Sequence, residues 1–124
     1  MIIKDFYNIP IFILSYNRKE TLRLCIEKFQ KDGYKNLIIL DNASIDSETL
    51  AYIKKLSCKV IFLKKNYGHH ALWDCGLFDN IIINDYYVLT DPDVLPIREC
   101  PSDYVEQFYH ILEKYPYKTK VGFS

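Results

Sequence analysis

The sequence predicts a three-layer α/β/α domain built on a mainly parallel sheet. Three observations predict it. Short continuous apolar runs recur at 9–15, 37–40, 60–63 and 86–90, and continuous rather than alternating apolarity suits strands covered on both faces. Between these runs lie stretches whose apolar residues recur at helical spacing. The connections are short, so strand–helix alternation implies right-handed crossovers and helices packed against the sheet.

The first run, 9–15, ends in the polar turn Ser15-Tyr16-Asn17-Arg18. A helix follows over 20–31, with Leu22, Cys25, Ile26 and Phe29 on one face, and Gly33 is placed to end it. The second strand, 37–40, stops at Asp41 and runs into Asn42-Ala43-Ser44-Ile45-Asp46-Ser47, where Asp46 or Ser47 caps a helix that turns Leu50, Ile53 and Leu56 inward. A third strand at 60–63 leads through the turn Asn66-Tyr67-Gly68 into a helix over 69–77. Its sheet-facing residues are expected to be Ala71, Leu72, Cys75 and Gly76, the glycine serving close packing. The fourth strand is the β-branched and aromatic run at 86–90, which stops at Asp91-Pro92-Asp93. Ser102 caps a helix to Lys114 with Val105, Phe108, Tyr109 and Leu112 on one face, and 121–124 reads as the start of another strand.

With 124 residues, 49% hydrophobic and 15% aromatic, one domain with a real core is expected over 1–124. Sixteen basic and sixteen acidic residues cancel, so no global field draws nucleic acid. The distribution is less even: Lys54, Lys55, Lys59, Lys64 and Lys65 cluster, while from Asp74 to Glu106 eight acids face only Arg98. The four cysteines lack CxxC spacing, and three of them, in apolar company, read as small core residues, in a reduced, cytoplasmic setting compatible with peripheral contact to a membrane. The N-terminus does not read as a signal peptide, and no window approaches a transmembrane helix.

The chemistry is expected where strands end. In a parallel sheet Ser15-Tyr16-Asn17-Arg18, Asp41 to Asp46 and Asp91-Pro92-Asp93 fall on one edge. Two oxygen donors one residue apart suit a divalent cation that keeps its waters and also takes phosphate oxygens. Asp91-Pro92-Asp93 by itself equally describes a polar turn, and Ser44, Asp46 and Asn66 equally describe turn and cap residues. No Gly-rich phosphate loop of either common type is present. His69 and His70 read as packing and surface residues, since neighbouring helical side chains diverge and a third ligand is missing at metal spacing. Trp73 and the tyrosines read as core and rim.

Ile11 to Arg18 with Leu22, then Ile39-Leu40-Asp41-Asn42-Ala43-Ser44-Ile45-Asp46, then Asn66-Tyr67-Gly68, then Asp91-Pro92-Asp93 resembles the nucleotide-sugar half of family 2 glycosyltransferases. The resemblance runs from Pro10 to Val94 by motif and further by helix pattern. It implies the GT-A fold and transfer of a sugar from a nucleotide diphosphate-sugar, UDP-linked, to the hydroxyl of a glycan or lipid-linked acceptor, as in the making of cell-envelope polysaccharide. By that resemblance Ser15, Tyr16 and Arg18 line the first nucleotide loop. Asp41 accepts from the base with Ser44 and Asp46 nearby, and Asn66 and Gly68 lie along the nucleotide. Asp91 and Asp93 match the DxD motif that holds Mn²⁺ or Mg²⁺ on the diphosphate.

In such enzymes the general base and acceptor pocket follow the DxD. Here the chain is expected to be incomplete, stopping where that half begins, and Asp103 and Glu106 come too soon and on a helix to be the base. The rival reading is a non-catalytic nucleotide-binding or assembly module. A nucleotidyltransferase is disfavoured, because the first strand is not followed by a Gly-rich loop. The unfinished sheet predicts self-association near the C-terminus.

Overall fold

The computed structural model describes residues 5–94 and 100–122. Strands β1 (Ile11–Ser15), β2 (Leu37–Asp41), β3 (Lys59–Phe62) and β4 (Val88–Thr90) form one sheet in the order β3-β2-β1-β4, with every pairing parallel. Among the described residues five α-helices accompany it: α1 (Lys19–Lys31), α2 (Ser47–Lys54), α3 (Ala71–Asp74), α4 (Asp79–Asn84) and α5 (Tyr104–Lys114).

The apolar runs are continuous because both faces of the two central strands are covered. Ile11, Ile13 and Ile39 join Leu22, Ile26 and Phe29 of α1, Ile53 of α2 and Val105 of α5 in one core layer. Phe12, Leu14, Ile38 and Leu40 meet Ala71, Leu72 and Phe78 in the other. Every residue of β1 and β2 is buried, Ser15 and Asp41 included. Burying each isoleucine fully contributes about 1.5–3 kcal/mol, so these strands carry much of the stability. The α/β/α architecture is therefore the one the sequence predicts.

Helix α1 ends as its glycine requires. Gly33 takes a φ of +97° and its N–H donates to the carbonyl of Gln30 at 3.0 Å. Two tyrosines then fasten α5 across α1. The Tyr34 hydroxyl donates to the Ser102 carbonyl at 2.6 Å and accepts from the Val105 N–H at 3.2 Å. The Tyr104 hydroxyl donates to Asp32 at 3.0 Å, and Lys28 holds the other oxygen of Asp32 at 3.1 Å.

Several expectations are corrected. β4 spans three residues, because Pro10, whose carbonyl accepts the Val88 N–H at 2.9 Å, offers no N–H to extend the ladder upstream. The helix expected over 69–77 is a 3-10 turn (Gly68–His70) followed by the short α3. Gly76 is exposed, with φ +72° and nothing within 4 Å of where a Cβ would stand, so it reverses the chain rather than packing it. Helix α4 was unforeseen; Ile81 and Ile82 pack on the sheet while Ile83 is 77% exposed, and three consecutive isoleucines hide that periodicity. In α2 the inward residues are Ile53 and Thr49, with Leu50 and Leu56 half-buried. Helix α5 begins after Asp103 and has no side-chain cap from it. Cys25 is buried, but Cys58, Cys75 and Cys100 are half-buried. Val121 and Gly122 are irregular rather than strand, and Phe123 and Ser124 lie outside the described residues. Among the described residues no helix is long and apolar enough to cross a membrane.

Candidate functional site

All four strands point the same way, so the loops after β1, β2 and β4 leave from one edge of the sheet. The order β3-β2-β1-β4 reverses direction between β1 and β4, and a crevice opens at such a switch point. Thr90 stands opposite Ile13, so Asp91-Pro92-Asp93 emerges beside the end of β1.

The first two loops are locked into one body. The Asn17 N–H donates to Ser44 Oγ at 2.9 Å, and that hydroxyl donates to Asp41 Oδ1 at 2.5 Å. The Ser44 N–H donates to Asp41 Oδ2 at 2.9 Å. Asn17 Oδ1 in turn accepts from the N–H groups of Ile45 and Asp46, at 2.8 and 2.9 Å. Asn17 has φ +54°, a left-handed conformation asparagine tolerates better than most residues. Ala43 adopts φ +58° without that excuse, so the loop around it is under strain held by these bonds.

Asn42 extends the clamp to the loop after β3. Its N–H donates to the Ser15 carbonyl at 2.8 Å, its Oδ1 accepts from the Tyr67 N–H at 3.2 Å, and its Nδ2 donates to the Gly68 carbonyl at 3.2 Å. Gly68 has φ +70°, where a side chain would be strained. Asn17 and Asn42 are thus the residues that join three loops, and neither was singled out from sequence. Asparagine in a loop reads as a turn former; the available signal was that each directly follows, or nearly follows, a buried strand end.

The expected site residues sit as follows. Ser15 is buried at the end of β1, its Oγ without a hydrogen-bond partner among the described residues. Tyr16 is 43% exposed on the rim and Arg18 is exposed just before α1, with no ion pair among the described residues. Asp41 is 1% and Ser44 7% exposed. Asp46 caps α2 by accepting from the N–H and hydroxyl of Thr49, at 2.9 and 2.6 Å, and the Thr49 bonds hold its carboxyl below the usual range. Asn66 Oδ1 accepts from the Gly68 N–H at 2.8 Å, a local turn. His69 and His70 are both exposed, correcting the expectation that one would pack inside.

Asp91 and Asp93 are exposed in a turn closed by the Val94 N–H on the Asp91 carbonyl at 3.3 Å. Among the described residues no group of three or more His, Cys, Asp or Glu side chains could cage a metal. Two exposed carboxylates fit a different kind of ion, one held by the protein on one side and by ligand phosphates and water on the other. Asp103, just before α5, and Glu106, within it, are engaged elsewhere, Asp103 accepting from Gln107 at 2.7 Å and Glu106 lying 3.9 Å from His110. Burial pushes the Cys25 thiol up to about 12, with a smaller contribution from the Asp93 charge, so it is an inert core thiol.

From Asp91 a groove of about 870 Å³ follows the free edge of β4. Leu14, His69 and Trp73 line it near the strand ends, and Phe108 and Val121 line it further along. The chain matches no curated protein. Residues 11–119, from the start of β1 past the end of α5, match the family model of Glycosyl transferase family 2, and the chain belongs to that family.

Proposed function

We propose that this chain binds a nucleotide diphosphate-sugar, UDP-linked, for metal-dependent transfer of the sugar to the hydroxyl of a glycan or lipid-linked acceptor. The observation that carries the reading is the convergence of three clamped loops beside a switch-point turn bearing two exposed carboxylates. Asp41 accepts from the base; Ser44 occupies two of its roughly four lone-pair sites, leaving capacity for another donor. Tyr16 and Arg18 border the nucleotide, and the exposed guanidinium suits a diphosphate. The loop of Asn66 and Gly68, fixed by Asn42, supports the other side. Asp46 acts by fixing the start of α2, and Ser15 by its place beneath the loops.

Asp91 and Asp93 would hold Mn²⁺ or Mg²⁺. Bound there, such an ion would neutralise the charge that builds on the departing diphosphate. Calorimetry with UDP and GDP, with and without Mn²⁺, tests the reading. UDP binding strengthened by the ion is expected. A chain that binds neither nucleotide in either condition would sink it, and one that binds UDP yet releases none from UDP-sugars in the presence of acceptors would be a binding module.

A further inference from the structure

We propose that Trp73 forms an aromatic wall against which the pyranose ring of the donor packs, with His69 beside it. This rests on the nucleotide-sugar reading and names where the sugar lies. Trp73 is the only tryptophan in the chain and is 41% exposed. It belongs to neither core layer, whose residues from this helix are Ala71 and Leu72, each fully buried. A large aromatic ring left 41% exposed forgoes a good part of the burial that a core position would give it.

Its position is nevertheless fixed. His69 and Trp73 are four residues apart, on neighbouring turns, and both line the groove together with Leu14, Leu89 and Asp91. The His70 ring, not among the groove-lining residues, stands 5.7 Å from the indole between centroids, at 52°. The Gly68 loop that precedes them is held by Asn42, the residue that also orders the nucleotide loops.

A pyranose has an apolar face of C–H groups and a rim of hydroxyls. A site for it needs a flat aromatic surface bordered by polar groups. The indole supplies the surface, while His69, Thr90 and Asp91 are polar residues along the same groove. Asp91 also belongs to the carboxylate pair proposed to hold the diphosphate metal, which places a sugar attached to that diphosphate at this end of the groove.

Because Trp73 is the only indole, its fluorescence reports on the wall directly. With Mn²⁺ present, UDP is compared with UDP-glucose, UDP-galactose and UDP-N-acetylglucosamine on the intact chain, on Trp73→Ala and on Trp73→Phe. At least one UDP-sugar is expected to shift the emission beyond UDP and to bind about threefold to tenfold tighter. In calorimetry Trp73→Ala should remove that difference, leave UDP affinity unchanged, and keep the circular dichroism of the parent; Trp73→Phe should restore part of it.

No UDP-sugar binding tighter than UDP, or a Trp73→Ala loss shared equally by UDP, would overturn the wall and leave the nucleotide site standing. A response to free methyl glucoside equal to that for UDP-glucose would assign the ring to the acceptor and overturn the donor placement. Failure of UDP itself to bind the parent chain would remove the nucleotide reading and this one with it.

Discussion

At the scale of single residues, the two aspartate positions behave differently because their surroundings differ. Asp93 is exposed and makes no hydrogen bond or ion pair among the described residues. Asp93→Asn should therefore abolish the gain in UDP affinity that Mn²⁺ brings and leave the urea midpoint unchanged. An unfolded variant would instead make Asp93 a structural turn residue. Asp41 is 1% exposed and accepts both the N–H and the hydroxyl of Ser44. Asp41→Ala orphans those donors and loosens the contact of Ser44 with Asn17. It should lower stability by about 1.5–3 kcal/mol and weaken UDP binding even without metal. Nucleotide affinity unchanged in a folded Asp41→Ala chain would remove the base contact from the proposal.

At the scale of elements, the fastening of α5 onto α1 predicts a pH dependence. Burial pushes the Tyr34 hydroxyl up to about 12, from an ordinary value of 10.0. Burial, with the Asp32 carboxylate beside it, raises Tyr104 as well. A folded-state value above the unfolded one stabilises fully below the unfolded value and is lost as pH rises through the folded one. Stability should thus fall between about pH 10 and 12 as tyrosinate forms. Tyr34→Phe leaves the Val105 N–H without its acceptor and the Ser102 carbonyl without its donor. It should cost about 1–3 kcal/mol at neutral pH and lessen the alkaline loss, with Tyr52, Tyr86 and Tyr104, all likewise raised, contributing to what remains. Urea unfolding across that range checks it; an alkaline loss as steep as the parent's would show that Tyr34 is not the titrating group.

At the scale of the molecule, β4 is an edge strand of three residues with a groove along its free side. Val88 turns its N–H toward β1, so alternation turns the N–H and C=O of Leu89 outward. The chain also carries no net charge at pH 7, with a pI near 6.8. Zero net charge offers no repulsion against pairing of this edge, and self-association that grows with concentration is expected, most strongly near the pI. Light scattering over a concentration series at several pH values measures it. A monomer at every concentration would show that three residues are too short an edge to pair.

The layers, the parallel sheet and the common edge of the strand-end loops were all legible in the residue pattern. Those follow from local signals: runs such as Ile11 to Leu14 and Leu37 to Leu40 need cover on both faces, and Gly33 has to end a helix. Tertiary structure alone decided how the loops are joined. Nothing local shows that Asn17 and Ser44, 27 residues apart, share a bond, or that Asn42 reaches Gly68. It also decided that α4 is a helix, because which of three adjacent isoleucines faces inward depends on where Phe12 lies. The strand order β3-β2-β1-β4 likewise rests on contacts between distant segments, and that order is what brings Asp91 to the same groove as Leu14 and Trp73. Periodicity reports what a segment must bury; only the folded chain settles which neighbour buries it.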